Sequence, residues 1–284
     1  MTANVPAPVT ALRTTREMSP EDREVLERAV RTLEHPSLPA RFSALMGQQL
    51  SLAEKFIPDA ITSAANSAAN VALRAALRAA IKTLPKSGRL GSSRLHTALA
   101  AVSGAAGGVF GLAALPVELP VSTTIILRSI AEIARAEGED LGEPATALAC
   151  LEVFALGGGP DAEAASNSGY LAMRATLAKS IQQATRVVLQ RGLADETAPA
   201  LVRFIGQIVS RFSLTVSQKV AAQAVPIVGA VTGAAINAAF AEHFQALARA
   251  HFQVRRLERT YGAELIRAEY ETILAAGREA PQTA

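Results

Sequence analysis

The chain has 284 residues, enough for one large domain or two small ones, and its formal net charge at pH 7 is only +3. Half of the residues are hydrophobic and alanine is abundant, and because alanine has the highest helix propensity, this composition favours an all-helical fold over a sheet protein. The single cysteine, Cys150, excludes an intramolecular disulfide and a cysteine-cluster metal site, and its apolar surroundings predict a buried structural thiol.

The N-terminal part of the chain predicts a disordered lead followed by two helices. Residues 1–18 contain proline, arginine and acidic residues but no apolar segment of the kind found in a signal peptide. Ser19 and Pro20 suit the N-cap and the first position of a helix, and Pro36 predicts where that helix ends. A second helix is predicted over about 39–56.

A third helix, predicted over 60–84, carries an apolar stripe beside a basic one and leads into a loop at 85–93. No Asp or Glu occurs between Asp59 and Glu118. Positive charge is therefore concentrated in this segment although the net charge of the chain is small. The candidate residues for binding lipid or a protein partner are Arg74, Arg78, Lys82, Lys86, Arg89 and Arg94.

Two long runs, 97–117 and 220–241, contain no charged residue and no histidine. Each is long enough to cross about 30 Å of hydrocarbon as a helix. Prolines interrupt the pattern, with Pro116 near the end of the first run and Pro226 inside the second. Three interpretations stay open: buried helices of a soluble bundle, a membrane-inserting hairpin, or a full span.

Glycines recur four residues apart in both runs, and this spacing clears one face of a helix so that another backbone can approach it closely. The pairs are Gly104/Gly108, Gly107/Gly111 and Gly229/Gly233. A glycine inside a helix costs about 1 kcal/mol relative to alanine, so a cluster of glycines needs a compensating contact. We therefore predict that 104–120 is the first arm of a tightly packed helical hairpin whose corner runs from Pro116 to Pro120.

The remaining chain predicts only helices and no strands. They are expected at about 94–115, 119–137, 143–156, 161–191, 199–224, 226–260 and 262–277. The predicted fold is an all-α multi-helix bundle with two Gly/Ala-rich apolar helical segments, built around 97–137 and 220–257. We expect one domain over 19–278 and a flexible tail over 279–284.

The stretch GAAGGVFGLAALPVELP at 104–120, followed by LRSIAEIARAEGEDLGEP, resembles the central region of the EcsC protein family. In that family a Gly-rich apolar run leads to an acid-Leu-Pro sequence, here starting at Glu118 where Asp is commoner, and an Arg-x-x-x-Glu helix follows, here starting at Arg128. The later segment VPIVGAVTGAAINAAFAEHFQALARAHFQVRRLERTYG is similar to the family's C-terminal half. The resemblance covers about 95–262. It implies a membrane-associated or transporter-linked protein and supplies no catalytic residue.

Polar residues within the apolar segments are expected to be structural. Glu118 needs a partner or its pKa rises, and Arg128 is a candidate for that partner, in a salt bridge or cap that pins the hairpin; a functional acid is the alternative. Asn237 must find a hydrogen bond and is expected to lock helix packing. His251 follows the 4-3 spacing of an apolar seam and is expected to be hydrogen-bonded there. It lies about 12 Å along a helix from His243, too far for the two to share one ion without other ligands.

Three hypotheses of function are compatible with the sequence. The leading one is a non-enzymatic protein at the cytoplasmic face of a membrane, where anionic lipid attracts the basic segment. The second is a soluble module that binds an acidic protein such as a transporter subunit. The third is an enzyme with an unrecognised site that includes Glu118, Glu132, His243 and His251. No motif requires a cofactor or metal, and the scarcity of aromatic residues in the basic stretches argues against nucleic-acid binding.

Overall fold

A computed structural model describes residues 17–35, 38, 59–83, 93–110, 114–156, 169–191, 198–223 and 230–279. Within these ranges the chain forms nine helices and no strand, so the predicted all-α fold is confirmed. In chain order they are α1 (Pro20–Glu34), α2 (Asp59–Thr83), α3 (Ser93–Phe110), α4 (Leu115–Ala136), α5 (Pro144–Leu156), α6 (Gly169–Arg191), α7 (Pro199–Gln223), α8 (Ala230–Tyr261) and α9 (Ala263–Glu279). The predicted helix at 39–56 and the predicted start of α6 at 161–168 lie outside the described residues.

The first helix begins and ends where its sequence signals predict. The Ser19 side chain accepts a hydrogen bond from the backbone N–H of Asp22 at 3.1 Å, and Pro20 opens the helix. Proline is tolerated at this position because the N–H that it lacks would have no acceptor inside the helix. The helix ends with His35 as its C-cap, directly before Pro36.

Helix α5 lies at the centre of the bundle. Every residue from Thr146 to Ala155 is buried, as expected for a helix that is apolar on all sides. Helices α2, α4, α6, α7 and α8 pack around it. Cys150 of α5 is fully buried, and burial raises the pKa of its thiol to about 12, which confirms the predicted structural cysteine.

Four phenylalanines join the central helix to two of its neighbours. Phe154 of α5 lies with its ring centroid 5.1 Å from that of Phe212 of α7 and 5.0 Å from that of Phe244 of α8. Phe240 completes the cluster, with its ring 5.1 Å from that of Phe244. Such aromatic pairs contribute about 0.5–1.5 kcal/mol each beyond the burial of their area. The core is therefore fixed where α5, α7 and α8 meet.

The corner of the Gly-rich hairpin was predicted at Pro116–Pro120, and this prediction is wrong. Both prolines lie inside α4, which begins at Leu115, so neither forms a corner, and residues 111–113 between α3 and α4 lie outside the described residues. Pro116 occupies the first turn, where the missing N–H has no intrahelical acceptor. Pro120 lies one turn further into the helix, where it removes the bond that its N–H would have donated to the Pro116 carbonyl and its ring also crowds that carbonyl.

Each of the two apolar runs is divided between two helices. The first is shared by α3 and α4, and the second begins in α7, which ends at Gln223, and continues in α8, which begins at Ala230. Among the described helices, none is both long enough and apolar enough to traverse a lipid bilayer.

The C-terminal helix α9 is anchored through a buried acid of the first helix. The Tyr270 hydroxyl donates to Glu34 Oε1 at 2.8 Å, and the backbone N–H of Gly169, which begins α6, donates to Glu34 Oε2 at 3.0 Å. The rings of Tyr270 and Tyr170 stack with centroids 5.5 Å apart. These contacts place α9 beside α6 and so form one wall of the cavity described below.

Candidate functional site

A buried ion pair joins the charged residues that bound the two apolar runs. Lys219 Nζ of α7 donates to Glu118 Oε1 of α4 at 2.8 Å and to its Oε2 at 3.1 Å. The lysine side chain is fully buried and the Glu118 side chain is 5% exposed. Burial lowers the pKa of Lys219, while the charge and hydrogen bonds of Glu118 oppose that shift. Distances this short are those of a charge-assisted pair.

Asn237 of α8 extends this pair to two further helices. Its side-chain Nδ2 donates to Glu118 Oε1 at 2.7 Å and to the carbonyl of Ala100 in α3 at 3.1 Å. The amide therefore locks α3, α4 and α8 together, as predicted for Asn237. Lys219 also lies 4.9 Å above the ring of Phe240, a cation–π arrangement at the edge of the aromatic cluster.

The expected pairing of Glu118 with Arg128 does not form, so this prediction is wrong. Both residues lie on α4, ten positions and about 15 Å apart along the helix axis, so their side chains do not meet. Arg128 is exposed, whereas Glu118 faces the interior. The charged partner instead comes from a helix that is remote in sequence.

The close approach predicted for the glycine face is present at Gly104. A side-chain carbon built there would contact the backbone carbonyl of Gly233 and lie 2.6 Å from Asn237 Cβ, closer than real side chains permit. Gly104 is therefore required for the contact between α3 and α8. Gly108 lies in α3, but its packing is outside the described residues, as is Gly229.

The basic residues that were predicted to bind lipid or a partner differ in their exposure, and only some of them are described by the structure. Arg74 is half-buried, with its Nε donating to Asn70 Oδ1 at 2.8 Å, while Arg78 and Lys82 are exposed on the same helix. Arg94 lies in α3, but its side chain is outside the described part of the structure. Lys86 and Arg89 also lie outside it.

Large hydrophobic side chains are exposed on the two arms of the hairpin. Leu95, Leu99 and Val102 follow 4-3 spacing on one face of α3, and Val117 and Val121 lie one turn apart on α4. We name these five residues the apolar face. Its most exposed members are Val102 at 68% and Val117 at 72%. Since α3 and α4 pack against each other, the two sets lie on neighbouring helices.

A cavity of about 880 Å³ lies at another part of the molecule, between α5, α6, α8 and α9. Its charged lining consists of Arg174, Arg186, Arg255, Arg267, Arg278, Glu152, Glu258 and Glu271. Alanine, leucine and isoleucine side chains of α6 and α9 form the apolar part of its wall. Sequence analysis missed this site because its residues come from four helices. The available signal was Glu152, the one charged residue of the otherwise apolar α5.

Glu152 lies at the inner end of the cavity, beside a neutral histidine. Burial raises the pKa of Glu152 to about 7, although the charges of Arg174 and Arg255 oppose this. His251 Nε2 lies 3.9 Å from Glu152 Oε2, and its Nδ1 is hydrogen-bonded to the Tyr170 hydroxyl at 3.1 Å. Burial, together with Arg174 and Arg255, holds the pKa of His251 well below its usual value. The predicted role of His251 as a hydrogen-bonded residue between helices is confirmed.

The four residues considered for proton transfer do not form one constellation. Glu118 is bound by Lys219, and Glu132 lies about 21 Å away from it along α4. His251 is bound by Tyr170, two helical turns from His243. General acid–base chemistry needs groups within hydrogen-bonding reach of one substrate, so the enzyme hypothesis gains no geometric support from these residues.

Comparison with known proteins returned one family. A model of the EcsC protein family matches residues 21–257, which extend from α1 through most of α8. No curated protein and no solved structure matches the chain.

Proposed function

The chain belongs to the EcsC protein family, and we propose that it is a non-enzymatic peripheral membrane protein of the cytoplasmic face, which docks on anionic lipid through α2, α3 and α4. The observation that carries this proposal is the apolar face. Of nine large hydrophobic side chains exposed among the described residues, five belong to it. Single exposed apolar residues are ordinary on soluble proteins, but a group on adjacent helices marks an interaction surface.

The charge around the apolar face suits an anionic surface. Arg78 and Lys82 are exposed on α2, which packs against α4. No acidic residue occurs between Asp59 and Glu118, and Glu118 is itself buried and neutralised by Lys219. Two exposed cations of α2 therefore lie on a helix that packs against one arm of the apolar face. Each lysine or arginine near anionic lipid contributes about 1 kcal/mol of attraction.

The composition of the apolar face favours lipid over a protein partner. Protein interfaces concentrate their binding energy in aromatic and arginine anchors held in pockets. The apolar face contains only leucine and valine. Aliphatic side chains of this kind can enter the boundary between head groups and acyl chains while nearby cations stay at the head groups. An acidic protein partner, such as a transporter subunit, remains an outcome that the experiments below can reveal.

Reversing the charge at Lys82 is expected to weaken binding to anionic vesicles. Lys82→Glu removes one attraction and adds one repulsion, and at about 1 kcal/mol each the affinity falls roughly thirty-fold. The measurement is flotation of the protein with phosphatidylcholine–phosphatidylserine vesicles at low salt, with phosphatidylcholine vesicles for comparison. Lys179→Glu is the control, because Lys179 is exposed on α6, remote from α2, α3 and α4. Equal losses in both variants would contradict the proposed surface.

An acid within the apolar face is expected to weaken vesicle binding strongly without unfolding the protein. Val102→Asp should reduce binding tenfold or more, because an aspartate costs about 3 kcal/mol in hydrocarbon and somewhat less near the interface. Leu189→Asp is the matched control on α6, since Leu189 is 65% exposed and Val102 is 68% exposed. If Val102→Asp binds vesicles normally but loses an acidic protein partner in lipid-free pull-downs, the surface is a protein-binding site instead.

A further inference from the structure

The cavity between α5, α6, α8 and α9 has the size and chemistry of a ligand site. Its volume of about 880 Å³ lies within the range of about 300–1,000 Å³ that is usual for small-molecule pockets. We propose that it binds an organic acid, with a carboxylate or phosphate head at the inner end near Arg174, Arg255 and Glu152 and an aliphatic chain along α6 and α9. This proposal does not depend on the membrane-binding function.

The two arginines at the inner end retain donors for an incoming anion. Arg174 uses Nη1 and Nη2 to bind the two oxygens of Glu258 at 2.7 and 2.9 Å. Arg255 uses Nε and Nη2 to bind Glu139 at 2.9 Å in each case. Each guanidinium has five N–H donors, so each keeps three after a bidentate pair. The ion pairs also hold both guanidinium groups in fixed orientations, which lowers the entropic cost of binding.

The charge balance of the cavity favours an anion. Five arginines line it against three glutamates, and burial raises the pKa of one of these, Glu152, to about 7. When Glu152 is protonated, the excess of positive charge rises and its O–H becomes a donor to the bound head group. Glu152 is 3% exposed, so this donor is positioned at the buried end rather than at the rim.

The walls of the cavity provide the apolar half of the site. Ala178 and Ile181 line it from α6, and Leu274 and Ala275 line it from α9. These small and aliphatic side chains give the cavity an apolar wall, open to solvent at Ala178 and Ala275, that an alkyl chain can cover with favourable transfer energy. The ligand is therefore an amphiphilic acid and not a highly charged polyanion.

Binding of an anion is expected to be linked to protonation of Glu152. The ionisable groups that act on Glu152 within the described structure are Arg174 and Tyr170 of α6, and His251, Arg255 and Glu258 of α8. Burial raises the pKa of Tyr170 and lowers that of His251, so both stay neutral near pH 7. A bound anion raises the pKa of Glu152 further. Binding therefore takes up a proton above pH 7, and affinity falls by up to about tenfold per pH unit there.

The test is isothermal titration calorimetry of the full chain with decanoate and with decyl phosphate, each below its micelle concentration. Titrations one pH unit either side of the Glu152 pKa of about 7, in buffers of different ionisation enthalpy, measure the protons taken up. Wild type is expected to bind one of the acids with proton uptake on the alkaline side. Glu152→Gln, which imitates the protonated acid, is expected to bind decanoate with an affinity independent of pH and with no uptake, whereas decyl phosphate, whose own second ionisation falls at about pH 6, serves only to compare affinities.

Two controls separate this site from unspecific binding. Ala178→Phe occupies the space along the apolar wall and should reduce affinity at least tenfold, whereas Thr176→Phe, at a position of the same helix that does not line the cavity, should not. Decyltrimethylammonium carries the same chain with a positive head and should not bind. The proposal is overturned if neither acid binds below pH 7, if the cation binds equally well, or if Glu152→Gln keeps the wild-type pH dependence.

Discussion

Replacing Lys219 with methionine is expected to lower the free energy of unfolding by about 3–5 kcal/mol, because it leaves the Glu118 carboxylate buried without its cation. The Lys219 side chain is fully buried, and its ammonium group donates hydrogen bonds to both oxygens of the Glu118 carboxylate. For a protein of this size each kcal/mol corresponds to about 2–4 °C, so the melting temperature should fall by roughly 6–20 °C. Chemical denaturation followed by circular dichroism measures the free energy directly.

The double variant Glu118→Leu with Lys219→Met separates an unpaired buried charge from lost packing. Removing both charges also removes the desolvation penalty, so the double variant should be more stable than Lys219→Met alone. The free energy of unfolding of the double variant should stay below that of wild type, because the Asn237 side chain loses its Glu118 acceptor. Lys179→Met, at an exposed site on α6, should change stability by no more than about 0.5 kcal/mol. Additive effects of the two single replacements would mean that the pair is not coupled.

Gly104→Ala and Gly206→Ala are expected to change stability in opposite directions although the substitution is the same. At Gly104 the new methyl group would lie 2.6 Å from Asn237 Cβ and contact the Gly233 backbone, so α3 and α8 must separate. Overpacking of this kind costs about 1–3 kcal/mol. At Gly206 of α7 there is nothing within 4 Å of the added carbon. There alanine should stabilise the helix by about 0.5–1 kcal/mol.

Comparing the melting temperatures of these two variants tests the close packing without reference to any ligand. If Gly104→Ala is as stable as Gly206→Ala, the contact between α3 and α8 is looser than the structure shows. Because Asn237 lies between Gly104 and Glu118, the Gly104 and Lys219 replacements share a neighbour and should not be additive. Gly108→Leu is expected to be destabilising for the same reason, and this stays a prediction from the glycine spacing.

Helix α8 contains both the locking amide of the hairpin and the charged residues of the cavity. Asn237 and Glu258 are about 32 Å apart along its axis. Variants this far apart with no shared partner usually act independently. Vesicle binding should therefore survive Glu152→Gln, and binding of the organic acid should survive Val102→Asp. The vesicle-binding experiment and the organic-acid titration therefore test the two proposals independently.

Local signals in the sequence predicted the helices. Ser19 and Pro20 set the start of α1 because capping depends on residues within one turn. The absence of strand patterns and the abundance of alanine predicted the all-α fold for the same reason, since helix hydrogen bonds join residues four apart. The resemblance to the EcsC family, carried by two remote motifs, was confirmed by the family match over residues 21–257.

The sequence also determined which buried polar residues need hydrogen-bond partners, but only the tertiary structure decided which residues those partners are. Glu118 and Asn237 are polar residues in apolar surroundings, and burial obliges each to find a hydrogen bond. The partner of Glu118 is Lys219, 101 positions away, and no periodicity along the chain connects them. The cavity escaped prediction for the same reason, because its lining comes from four helices. Spacing along one helix fixes which side chains share a face, whereas contacts between helices depend on how those faces pack, and here the glycine contact between α3 and α8 brings Asn237 to Glu118.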